Sequence, residues 1–167
     1  MQADVIDSLM VLAEYDIPFD IVAVLPEHIE NAITVSKLVP GLRMVFDHLS
    51  QPPISSKEKF GRWGELMKEA ARQKNLYAKV SGLGTASKNF ENWKEEDLFP
   101  YIEFVLKQFG TDKCFCGGDW PVSLLAGSYS QIWNAYKNIM DRLLNKEEIE
   151  KVFWKNAVRF YGLNSKS

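Results

Sequence analysis

The spacing of apolar residues alternates along the chain between helical periodicity and short continuous runs. Ile6, Leu9, Met10 and Ala13 fall on one helical face and predict a helix over about residues 3–15. Ile17-Pro18 ends it, because a residue before proline is pushed away from helical geometry. Phe19 to Leu25 is a β-branched run that reads as a buried strand. Pro26 suits the first turn of a second helix, with Glu27 well placed near its positive end. That helix carries Ile29, Ala32 and Ile33 and stops near Pro40-Gly41.

The alternation then repeats three times. Leu42 to Phe46 is the second strand, Leu76 to Val80 the third and Lys113 to Cys116 the fourth. Between them lie helical faces made by Phe60, Trp63, Met67 and Ala70, and by Leu98, Ile102, Val105 and Phe109, the latter stopped at Gly110. Ser55 with Glu58, and Ser128 with Gln131, have the spacing of capping boxes. Ile132, Ala135, Tyr136, Ile139 and Met140 mark another helix, and Asn156, Ala157, Phe160 and Tyr161 a helical tail. Strands that alternate with helices predict an α/β fold with a parallel sheet. No linker or low-complexity stretch interrupts residues 1–167, so one domain is expected.

Composition adds little to this picture and removes several function classes. A net charge of −2 gives no electrostatic footprint for nucleic acid or an anionic membrane. No apolar run reaches the length of a membrane span, and the acidic N-terminus does not resemble a secretory signal. Cys114 and Cys116 are too few for a closed zinc site and poorly placed to bond to each other. They read as small buried hydrophobes in a reducing compartment, so a cytoplasmic location is expected.

In parallel α/β folds, active sites gather at the C-terminal ends of strands. Three of the four strand ends here deliver polar residues directly after apolar ones: Asp47-His48, Ser81-Gly82 and Gly118-Asp119. His48, Ser81 and Asp119 are therefore candidates for one shared site. A carboxylate at Asp119 could be a metal ligand, a general base or a helix cap. His48 could equally be a structural hydrogen-bonding residue. Lys79 alternates with Ser81 and is expected to face the same side, paired with Asp119 or a substrate anion. Asp47 is expected on the opposite side from His48, against the helices, and His28 toward solvent.

These strand ends also carry a family resemblance. Val45-Phe46-Asp47-His48-Leu49-Ser50-Gln51-Pro52-Pro53, Tyr77-Ala78-Lys79-Val80-Ser81-Gly82-Leu83 and Cys116-Gly117-Gly118-Asp119-Trp120-Pro121 occur in order, before Asn156-Ala157 and Arg159-Phe160-Tyr161. The set resembles the amidohydrolase-related (amidohydrolase 2) family, in its branch of sugar lactonases and pyrone-dicarboxylate lactonases. The resemblance implies strands 5–8 of a (β/α)8 TIM barrel that hydrolyses a lactone or related carbonyl compound. It implies water activation by Asp119, often on a divalent metal such as zinc held by His48 and Asp119, although some members use none. His48 would bind that metal or polarise the carbonyl, and Lys79, Ser81 and Trp120 would line the substrate pocket.

The departures from the family pattern concern the site. There is no His-x-His pair, the strand-5 position is not histidine, and Gly118 stands where serine is usual. Strands 1–4 have no counterpart. A half barrel would have open sheet edges and a bare inner face, so association with a second copy or an N-terminal half is expected. The alternatives are an inactive structural fragment and a decarboxylase on the same barrel.

Overall fold

The computed structural model describes residues 2–56 and 58–163. Among them the elements run α1 (Ala3–Glu14), β1 (Phe19–Ile21), α2 (Pro26–Leu38), β2 (Met44–Phe46), α3 (Gly61–Ala71), β3 (Leu76–Val80), α4 (Leu83–Ala86), α5 (Glu95–Phe109), β4 (Cys114–Cys116), α6 (Tyr129–Leu143), α7 (Lys146–Glu150) and α8 (Asn156–Tyr161). The four strands pair in parallel and in chain order, β1-β2-β3-β4. None of the described helices is long and apolar enough to cross a membrane.

Strand alternation gives the sheet two different faces. Met44, Phe46, Leu76, Ala78, Val80, Cys114 and Cys116 join the main core, together with Ile29 and Ile33 of α2, Leu66 and Met67 of α3, Ile102 and Val105 of α5, and Tyr136 and Ile139 of α6. Each fully buried side chain of this size contributes roughly 1.5–3 kcal/mol. Both cysteines are free and buried. The register sets Asp20, Val45 and Tyr77 side by side on the other face and puts Lys79 beside Phe115.

That other face is not bare. The chain turns back after α7, and α8 lays Ala157, Phe160 and Tyr161 against Val45, Tyr77 and Phe115. Phe160 meets Tyr77 edge-on at 4.9 Å and lies 5.2 Å from Phe115. Two polar anchors hold the helix there. Arg43 donates to the Phe160 carbonyl, and the Asn156 amide donates to the carbonyls of Thr111 (2.6 Å) and Cys114 (2.8 Å).

Two local expectations are corrected. The first strand ends at Ile21, because β1 lies at an edge with β2 as its one neighbour, and Val22, Val24 and Leu25 are exposed. Ser55 and Glu58 do not form a capping box. The helix begins at Gly61, and the Ser56 hydroxyl accepts from the Glu58 amide instead. Ser128 caps α6 through the Gln131 amide as expected, and Asn145 forms a reciprocal box with Glu148.

Candidate active site

The polar strand ends converge on one cavity of about 360 Å³, lined by Asp47, His48, Lys79, Ser81 and Asp119 with Tyr161 below. Each side chain arrives by a different device. β2 ends at Phe46, and the turn that follows holds His48, Leu49, Ser50 and Gln51 at positive φ. Such φ values are uncommon for residues with a Cβ. They swing His48 out of strand alternation and into the cavity. Asp119 also sits at positive φ, 50°, after two glycines.

At the rim, the His48 Nε2 lies 3.7 Å from the Asp119 Oδ1. The His48 Nδ1 is 2.9 Å from the Ser81 hydroxyl, whose oxygen accepts from the His48 backbone N–H at 3.3 Å. Gly82 makes the approach possible. It has φ +59°, and a Cβ there would lie 2.6 Å from His48 Nδ1 and 2.7 Å from Asp119 Oδ2.

Deeper in the cavity, the Lys79 ammonium lies 2.5 Å from both Asp20 and Asp47. The Tyr161 hydroxyl donates to Asp20 at 2.7 Å. Burial alone would lower the Lys79 pKa, but the two carboxylates outweigh it and hold the amine above the ordinary lysine range. Burial raises the Tyr161 phenol, against the opposing pull of Lys79, to about 12.

The structure thus brings His48, Ser81, Asp119 and Lys79 together. It does not bring Trp120 to the cavity: its side chain is 69% exposed, outside the lining. Lys79 pairs with Asp20 and Asp47, not with Asp119. Asp47 faces the cavity, correcting the expected orientation toward the helices. Val45 already faces inward, so residue 47, two positions on, follows it. Asp20 and Tyr161 were missed. The available signal for Asp20 was a lone carboxylate inside the Phe19–Ile21 run.

The family model for amidohydrolases matches residues 9–163. The chain belongs to the amidohydrolase family. An L-fucono-1,5-lactonase from Burkholderia ambifaria is 35% identical over 162 residues, which is 92% of this chain and 52% of that protein. A zinc-bound amidohydrolase from Burkholderia multivorans superposes with a TM-score of 0.91 at 23% identity, over 98% of this chain and 58% of the other. A Pseudomonas putida protein proposed to be a 2-pyrone-4,6-dicarboxylic acid hydrolase superposes with a TM-score of 0.70 at 19% identity, over 92% and 55% of the two chains. The chain spans about half the length of the curated relative, and its fold is part of an amidohydrolase TIM barrel.

The family raises the question of a metal, and the donors present answer it in part. No cluster of three or more His, Cys, Asp or Glu side chains among the described residues could hold an ion. His48 and Asp119 are two donors where a zinc site uses three or four. These residues alone do not fit a resident metal.

Proposed function

We propose that this amidohydrolase chain forms half of the active site of a lactone hydrolase, with Asp119 as the general base and His48 as the group that receives the carbonyl oxygen. The observation that carries this reading is the facing of Asp119 and His48 across 3.7 Å at the strand-end mouth of the cavity. Asp119 takes a proton from water as the water oxygen attacks the lactone carbonyl carbon. The carbonyl π electrons move onto oxygen, and His48 stabilises that oxyanion. The ring C–O bond then breaks, and the alkoxide leaving group takes the proton back from Asp119. The products are one hydroxy acid and a regenerated carboxylate. Ser81 orients the imidazole, and the Lys79 network forms the cavity floor.

The facing strands of the barrel, from further polypeptide or from a second copy, complete the pocket. Donors from them would be needed before His48 and Asp119 could share a divalent metal such as zinc. The exposed edge residues Val22, Val24 and Leu25 support such a partner surface, and light scattering would show a monomer if none associates. Two buried free thiols fit a reducing, cytoplasmic setting.

The test is turnover by the complete barrel, with L-fucono-1,5-lactone and 2-pyrone-4,6-dicarboxylate offered in parallel. Asp119→Asn should lower kcat by roughly 10²–10⁴-fold, the typical contribution of a general base, with an unchanged urea midpoint. Full activity in that variant would remove Asp119 from the chemistry.

A further inference from the structure

We infer that Ser81 fixes the neutral His48 imidazole in the tautomer protonated on Nε2, so that His48 acts at this site as a hydrogen-bond donor to oxygen. The inference deepens the proposed function and rests on it for the identity of the oxygen. The tautomer itself follows from hydrogen bonding alone.

A serine hydroxyl has one proton to donate and two lone pairs to accept with. Ser81 is 1% exposed, so its proton needs a partner within the protein. One lone pair of its Oγ is taken by the His48 backbone N–H at 3.3 Å. Among the described residues, the acceptor within reach of the hydroxyl proton is His48 Nδ1, at 2.9 Å. Were Nδ1 itself protonated, it would donate to Ser81 and leave the buried hydroxyl proton without an acceptor. The other side of the ring gives the same answer independently. Nε2 faces the Asp119 carboxylate at 3.7 Å, where an N–H is attracted and a lone pair is repelled. Both neighbours therefore place the proton on Nε2.

The consequence separates two roles that the sequence leaves open for His48. In this tautomer Nε2 has an N–H to give to a developing oxyanion, whereas holding a metal there would require that proton to move to Nδ1 and the Ser81 hydrogen bond to reverse. Ser81 is a positioning residue in this scheme: it acts through His48 and needs no contact with substrate. A Cβ at Gly82 would press on Nδ1 itself, so the same strand end supplies the hydroxyl and leaves the room for it.

The experiment is long-range ¹⁵N–¹H correlation NMR on the ¹⁵N-labelled protein, at a pH where imidazoles are neutral. The chain has two histidines, and His28→Gln assigns their signals. In the wild type, Nε2 of His48 should show a pyrrole-type shift and Nδ1 a pyridine-type shift. In Ser81→Ala, Nδ1 should gain pyrrole character, whereas Ser81→Thr, which keeps the hydroxyl, should retain the wild-type pattern. A pyrrole-type Nδ1 in the wild type would overturn the inference without any variant being needed. An unchanged tautomer in folded Ser81→Ala would overturn the role given to Ser81. None of these readouts involves lactone turnover, so the tautomer and the proposed reaction fail separately.

Discussion

Gly82→Ala tests whether the closeness of His48 and Asp119 depends on one missing side chain. Two costs are expected, and the structure separates them. The first is conformational: alanine in the left-handed region, here φ +59°, costs about 1–2 kcal/mol. The second is steric. The new Cβ would stand 2.6 Å from His48 Nδ1, about 0.8 Å short of the 3.4 Å at which ordinary contact begins, and nearly as close to Asp119 Oδ2. Overpacking of this kind adds about 1–3 kcal/mol. Gly162 is the control, since it is also left-handed at φ +63° but has nothing within 4 Å of a built Cβ. In urea unfolding, Gly162→Ala should lose about 1–2 kcal/mol and Gly82→Ala about 2–5 kcal/mol. The turnover of folded Gly82→Ala should fall on the order of 10²-fold, the effect of displacing reacting groups by about 1 Å, while Gly162→Ala keeps wild-type rates. Equal stability losses in the two variants, with turnover intact in both, would refute the reasoning.

Two further outcomes concern the cavity floor. Lys79→Met leaves Asp20 and Asp47 without the cation between them, and should destabilise the fold by about 2–4 kcal/mol. That is below the 3–5 kcal/mol of a fully buried pair because Asp20 is partly exposed; a urea midpoint at the wild-type value would contradict the pairing. Stability should also decline on the alkaline side. The raised Lys79 pKa contributes stability that is fully present below the unfolded value of 10.5 and lost as pH rises through the folded value. Tyr161 adds to the same trend, because its phenol stays neutral up to about 12 in the fold but ionises from 10.0 in the unfolded chain. Urea midpoints measured through this range should fall steadily, less steeply in Tyr161→Phe, and a flat profile would count against both groups.

The parts of the fold that were legible in the sequence are those governed by period. The stripe Leu98, Ile102, Val105 and Phe109 reads as one helical face because 3.6-residue spacing survives any later packing, and all four are buried. The polar residues after each apolar strand were legible for the same reason, since strand direction fixes where strand ends gather. Asp47 was not, because the parity of an isolated strand is undetermined until one residue is known to face inward. Asp20 was hidden inside an apolar run whose polar member matters only once register puts it on the face that Lys79 occupies. Tyr161 read as part of a helical tail, and nothing in its spacing shows that α8 folds onto the inner face. Trp120 shows the opposite limit. A residue beside a strand-end aspartate need not follow it into the cavity once the chain has left the strand.

The charges on the inner face bear on what this half of the pocket accepts. Sequence order invited the idea that Lys79 awaits an anion. In the fold its ammonium is already held by two carboxylates at 2.5 Å, and Asp119 joins Asp47 in the cavity lining. Lys79 is the one cation beside the lining's two carboxylates, Asp47 and Asp119, and it also pairs with Asp20, so this face is negative among the described residues, and in a partly buried cavity such charges are weakly screened. Among the described residues, an anionic group entering here would find no unpaired cation in the lining and would meet repulsion from Asp47 and Asp119. A neutral, hydroxyl-rich ring would meet acceptors for its O–H groups instead. On the proposed reading, the turnover test should therefore show faster hydrolysis of the uncharged sugar lactone than of the dicarboxylate, and faster turnover of the dicarboxylate would refute the argument from this lining.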